Sequence, residues 1–247
     1  MENYIDESQI IDEVETNQAP QIPASAQELI FNCIVKIKVN IGKSNESYGT
    51  GFFMKCQIKN NNYHFLVTCN HIVNQNHVNS REKIAIYYGK LNEEKEKYIY
   101  LNYKKFIKCF EKPIDITIIE ILENDNIPED KYLFPDMNYK NGYNFYLNNN
   151  KIYLAGYPNV INNKGEKHIS SGYIKEIDTF KFLHSLDTRS DSSGSPICLI
   201  YNKSVIIYIK VATKIKKLIM EHLLELFWMN WKMKIYLNIK VIMIIHL

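Results

Sequence analysis

A chain of 247 residues, 46% of them hydrophobic, is long enough to bury one large core or two small ones. Its formal net charge of +3, with no Lys/Arg cluster interleaved with aromatics, argues against a nucleic-acid partner. The five cysteines are scattered, odd in number and without paired metal-ligand spacing, so neither a disulfide framework nor a zinc site is expected.

Residues 1–26 are acidic and polar with Pro20 and Pro23, and read as a flexible arm. No Lys or Arg precedes Lys36 and no apolar run follows the start, so a signal peptide is not expected and a cytoplasmic location is. Short runs rich in Ile, Val, Tyr and Phe then follow at 34–39, 50–58, 63–68, 83–88, 97–107 and 114–121. Their length and β-branched content predict strands, which make residues 27–125 a first β-domain. Residues 126–150 carry Pro128, Pro135 and an Asn-rich stretch, and read as a linker. Strand-like runs resume at 151–157, 166–177, 181–186, 195–201 and 204–208, a second β-domain ending near Tyr208. The fold class predicted is all-β, in two barrel- or sandwich-like halves.

Three local patterns carry chemistry. Gly49-Thr50-Gly51-Phe52-Phe53 is followed by Phe65-Leu66-Val67-Thr68-Cys69-Asn70-His71, which sets a histidine at the end of a buried strand. Asp115 opens the apolar run Ile116-Thr117-Ile118-Ile119. Ser192-Ser193-Gly194-Ser195-Pro196 forms a turn of small residues between apolar segments, able to hold one serine at its apex with amide hydrogens beside it. Histidine, aspartate and serine in that order match a general base, its orienting carboxylate and a nucleophile. The remaining histidines, His64, His77, His168 and His184, lack such a context and read as surface or strand residues. Cys198, on a strand past the turn, reads as a buried, inert thiol.

Together these segments resemble the chymotrypsin-like (trypsin-fold) serine proteases, of the intracellular, disulfide-free type. Thr68-Cys69-Asn70-His71 is similar to the family's Thr-Ala-Ala-His, and Asp115-Ile116-Thr117-Ile118-Ile119 to its Asp-Ile-Ala-Leu. Ser192 to Pro196 is similar to Asp-Ser-Gly-Gly-Pro, and Gly156-Tyr157-Pro158 to the Gly-Tyr-Pro that opens the second barrel in many members. The resemblance spans roughly residues 29–208. It implies two Greek-key β-barrels with an active site between them and a peptide or protein as substrate, with no cofactor and no metal. His71, Asp115 and Ser193 would form the triad, and the backbone N–H groups of Ser193 and Asp191 the oxyanion hole. Asp187 would lie at the base of the specificity pocket. Two positions depart from the pattern. Asp191 stands where the family has glycine, and Ser192 replaces the aspartate that secreted members use in zymogen activation. An inactive protease-fold binding module is therefore the alternative function.

Residues 209–247 break with what precedes them. No Gly or Pro follows Pro196, while both tryptophans and four of the seven methionines fall beyond Lys217. Three readings fit: a helical extension, a helix lying on a membrane surface, or a reading-frame slip near 206–208. Lys, Glu and His interrupt every apolar window, so a membrane-spanning helix is not expected. The alternative frame restores a His-Lys-Gly strand end, an aromatic strand and an amphipathic closing helix, as the family expects.

Overall fold

The computed structural model describes residues 20–58, 61–90, 93–112, 114–135, 151–158, 166–177, 182–186, 192–201 and 204–208. The expected linker segment from 136 to 150, the arm before residue 20 and the tail after 208 lie outside them.

β-Branched and aromatic runs build two antiparallel sheets. The first contains β1 (Ile34–Val39), β2 (Ser47–Ile58), β3 (Asn61–Thr68), β4 (Lys83–Tyr88), β5 (Lys95–Tyr100), β6 (Ile107–Phe110) and β7 (Ile116–Glu120). Their order across the sheet is β5-β4-β1-β2-β3-β7-β6. The second contains β8 (Lys151–Gly156), β9 (His168–Ile177), β10 (Phe182–His184), β11 (Ile197–Tyr201) and β12 (Ser204–Tyr208), ordered β10-β9-β8-β11-β12. This is the all-β architecture expected, with the first sheet a curled half-barrel among the described residues rather than a sealed barrel.

β2 organises the first sheet. Its first half pairs with β1, Ile34 opposite Phe52, and its second half with β3, Phe53 opposite Leu66. Past Phe52 the edge left by β1 is taken by Leu133, whose N–H donates to the Phe53 carbonyl at 3.0 Å while its own carbonyl accepts from Lys55 N at 2.8 Å. The register puts Val35, Ile37, Phe53, Leu66 and Ile119 into one core between the sheet's curled faces. A second core joins the two sheets: Ile30, Phe52, Phe65 and Val67 pack with Tyr153, Ala155, Tyr157 and Cys198. Burying side chains of this size contributes about 1.5–3 kcal/mol each.

The structure corrects the expected course of the chain over 24–33 and over 97–107. Ala24–Cys33 forms helix α1, which takes in the end of the expected flexible arm. The segment Ala24-Ser25-Ala26-Gln27-Glu28-Leu29 favours a helix by propensity, and Pro23 precedes it. Ile30 and Cys33, one turn apart, are fully buried against the sheets, and the β-branched pair Ile34-Val35 ends the helix by going extended. The single strand expected over 97–107 is two strands on opposite edges of the first sheet. The chain turns between them at Asn102, whose Oδ1 accepts from Lys104 N at 3.0 Å and whose carbonyl accepts from Lys105 N at 3.1 Å.

Polar groups tie the sheets at their junction. Lys167, 6% exposed, donates from Nζ to the carbonyl of Phe31 at 2.7 Å and to that of Gly89. Tyr157 donates its hydroxyl to Glu94 Oε1 at 2.5 Å, and Glu94 also faces Lys36 Nζ at 3.6 Å.

Candidate active site

His71 lies in the tight turn after β3. The Cys69 carbonyl accepts from both Ile72 N and Val73 N at 3.1 Å, which winds the chain into one turn. Thr117, fully buried on β7, donates to the Val73 carbonyl at 2.5 Å, and Asn70 N donates to the Asp115 carbonyl at 3.2 Å. The turn is thereby fastened to the start of β7, where Asp115 sits.

Asp115 has φ 55°, in the left-handed region that aspartate enters with modest penalty. Its N–H donates to the Glu111 carbonyl at 3.1 Å, which holds that conformation. Both carboxylate oxygens serve His71: Oδ1 accepts from the His71 backbone N–H at 2.9 Å, and Oδ2 lies 2.6 Å from the ring Nδ1. One carboxylate therefore fixes both the backbone and the ring of the same histidine. The His71 side chain is 46% exposed, so its other ring nitrogen is within reach of solvent or substrate.

The turn bearing Ser193 is docked onto β2 and β3. Ser195 N donates to the Ser192 carbonyl at 3.0 Å, closing the turn, and Gly194 at its apex has φ 88°. A Cβ there would collide with the Thr50 carbonyl oxygen, so glycine is required both by conformation and by space. Thr50 on β2 links the parts. Its N–H donates to the Ser193 carbonyl at 2.9 Å, its carbonyl accepts from Thr68 Oγ1 at 2.8 Å, and its Oγ1 accepts from Tyr157 N at 3.0 Å. Gly51, next along β2, pairs with Thr68, three residues before His71. Ser193 is thus fastened by its backbone to the strands that carry His71.

Thr50 and Thr68 were visible in the sequence only as part of the Gly-Thr-Gly and Thr-Cys-Asn-His patterns; the hydrogen bonds that make them the joint between sheets depend on the register of β2 against β3. Cys69 is a further residue that spacing missed. Its thiol, the His71 ring and the Asp115 carboxylate have ligand atoms all within 4.8 Å of one another, although only Cys69 and His71 are close in sequence. None of the five cysteines is in a disulfide. Burial pushes the thiols of Cys33 and Cys56 up to about 12 and raises Cys109 and the fully buried Cys198, which fits the expected inert role of Cys198.

Of the other histidines, His77 departs from the surface or strand role expected. It is 9% exposed, in the short helix α2 (Gln75–Asn79), where its Nδ1 accepts from Asn74 N at 3.1 Å while Asn74 Oδ1 accepts from His77 N at 3.4 Å. The signal was an Asn-x-x-His variant of the capping box. His64 lies on β3 with its ring 4.4 Å from that of Tyr132, and His168 and His184 are strand residues as expected. A hollow of about 50 Å³ opens beside Ser192, lined by Gly156, Pro158, His168 and Ser170. Asp187 and Asp191, expected at the specificity pocket and the oxyanion hole, lie outside the described residues.

Among solved structures, the crystal structure of the serine endoprotease from Yersinia pestis is similar to this chain. The TM-score is 0.51 at 12% identity, over 83% of this chain and 68% of that one. Such a likeness establishes the fold, all-β and chymotrypsin-like. No protein-family profile matches the chain, and no curated protein matches it in sequence. Among the described residues no helix is long and apolar enough to cross a membrane.

Proposed function

We propose that this chain is a serine endopeptidase acting through His71, Asp115 and Ser193. The observation that carries the reading is the doubly held histidine: Asp115 Oδ2 at 2.6 Å from Nδ1 and Oδ1 on the His71 backbone N–H. An imidazole so held carries its proton on Nδ1 and offers Nε2 as acceptor, the tautomer a general base needs. Ser193 Oγ attacks the carbonyl carbon of the scissile peptide bond as His71 Nε2 takes its proton. Asp115 stabilises the imidazolium that forms, and the proton then passes to the leaving amine as the C–N bond breaks. Water, deprotonated by the same nitrogen, hydrolyses the acyl-enzyme. The backbone N–H groups of Ser193 and Asp191 serve as oxyanion donors, each worth about 2.7–4 kcal/mol in the transition state. Asp187 gives the specificity pocket an acidic base. Residues 27–125 and 151–208 are the two domains that supply the halves of the site.

The test is labelling of the full chain with a fluorophosphonate, which reacts with serine only when a base activates it. The unmutated chain is expected to label and Ser193→Ala to remain unlabelled. Asp115→Asn, which reverses the favoured tautomer, should slow labelling about 10⁴-fold. Equal labelling of Ser193→Ala would show that another serine reacts. Absence of labelling in every form would favour a protease-fold protein that binds without catalysis.

A further inference from the structure

We infer that Cys69, His71 and Asp115 together form an inhibitory site for zinc. The three side chains offer a thiol sulfur, an imidazole nitrogen and a carboxylate oxygen, all within 4.8 Å of one another. This is the mixed donor set that a borderline-soft divalent ion prefers. Tetrahedral zinc, with bonds of about 2.0–2.3 Å, spaces its ligand atoms by about 3.4 Å. His71 Nδ1 and Asp115 Oδ2, now 2.6 Å apart, need to separate by less than one ångström to admit the ion. Asp115 Oδ1 stays on the His71 backbone N–H and keeps the carboxylate aimed during that movement. The ring is 46% exposed and the carboxylate 25%, so the ion has an entry path and a water can fill the fourth position.

Binding changes the proton inventory in a defined way. The Cys69 thiol releases one proton to solvent and becomes a thiolate ligand. Zinc occupies His71 Nδ1, so the imidazole's proton moves to Nε2. With Nε2 protonated, the nitrogen that would accept the Ser193 proton is closed. The charge of the ion is balanced by the thiolate and the carboxylate, and removal of the metal restores the original tautomer. The inhibitory half of this inference rests on the hydrolase reading; the metal site does not.

The experiment uses the full-length metal-free chain with Co²⁺ as a spectroscopic probe and Zn²⁺ as competitor. One Co²⁺ per chain is expected, with a thiolate-to-cobalt charge-transfer band, bleached by Zn²⁺ and accompanied by release of one proton. Ser193→Ala should keep the band, Cys69→Ser and Cys69→Ala should lose it, and Cys109→Ser should retain it. Asp115→Asn should weaken binding at least tenfold. Within each protein, the ratio of fluorophosphonate labelling with and without Zn²⁺ should fall at least tenfold for the unmutated chain, recover on chelation, and stay near one for Cys69→Ser. Binding without the thiolate band, or a band that survives in both Cys69 variants, overturns the site. A band with labelling indifferent to Zn²⁺ overturns the inhibition. A chain that never labels refutes the hydrolase reading while the cobalt spectrum still decides the metal site.

Discussion

Gly156 and Ser195 face each other so closely that a methyl group on the first would overlap the hydroxyl of the second. That hydroxyl is buried and finds no hydrogen-bond partner among the described residues, an arrangement that costs stability. Gly156→Ala is therefore expected to destabilise by about 1–3 kcal/mol through overpacking and to slow fluorophosphonate labelling, because Tyr157 N would be moved off Thr50. Ser195→Gly alone should be neutral or raise stability by about 1 kcal/mol. Combined, the two changes should be less harmful than Gly156→Ala alone, and urea unfolding of the four proteins measures the coupling. Additive losses would mean that the two residues do not meet. The sequence displayed both residues, one in Gly-Tyr-Pro and one in Gly-Ser-Pro. Their contact was not legible, because it follows from the pairing of β8 with β11, Leu154 opposite Ile197, across more than forty residues of chain.

At the scale of elements, strands bounded by Gly or Asn were legible because alternation and β-branching report burial directly, as in β4 with its buried Ile84 and Ile86. The split between β5 and β6 was not, since Leu101 continues the apolar run and only the Asn102 turn interrupts it. Helix α1 escaped for a related reason: Leu29, Ile30 and Phe31 are consecutive rather than spaced by one turn, and burial of Ile30 and Cys33 depends on both sheets being in place. Helix α2 has no apolar stripe and stands on its capping box, which makes it the acid-sensitive element beside the site. Burial lowers the His77 pKa, opposed by Glu82 and reinforced by Lys43, whose Nζ sits 2.8 Å from Glu82 Oε1. The unfolded chain therefore binds more protons than the folded one once pH falls below the ordinary histidine value of about 6.5. Stability from this group is present above that value and is lost as acid drives the folded His77 through its lowered pKa. The unmutated chain should lose stability relative to His77→Gln as pH falls below about 6.5, read by urea unfolding. Parallel loss in both proteins would assign the acid response elsewhere.

The whole molecule depends on how firmly the two sheets are joined, since β2 and β7 bear on His71 and Asp115 while the Ser193 turn leads into β11. The joint has an apolar part, the core shared by Phe52, Val67, Tyr153 and Tyr157, and a polar part centred on Lys167. Burial moves Lys167 down from 10.5 to about 8, even though the Glu94 carboxylate pulls in the other direction. At neutral pH the lysine is charged in both folded and unfolded chains, and the folded state bears the desolvation cost. Between about pH 8 and 10 the folded chain releases this proton while the unfolded chain still holds it, so stability rises with pH across that window. Replacing Lys167 with methionine removes the titration but leaves the Phe31 and Gly89 carbonyls without their donor, an offset of about 1–3 kcal/mol per unsatisfied group that does not vary with pH. The unmutated chain should therefore gain on Lys167→Met as pH is raised from 8 toward 10, measured by urea unfolding at several values. A constant difference would mean that Lys167 keeps its charge in the folded state. In that case the ammonium, held by two carbonyls and the Tyr157 ring 5.7 Å away, joins the sheets as a cation throughout the alkaline range.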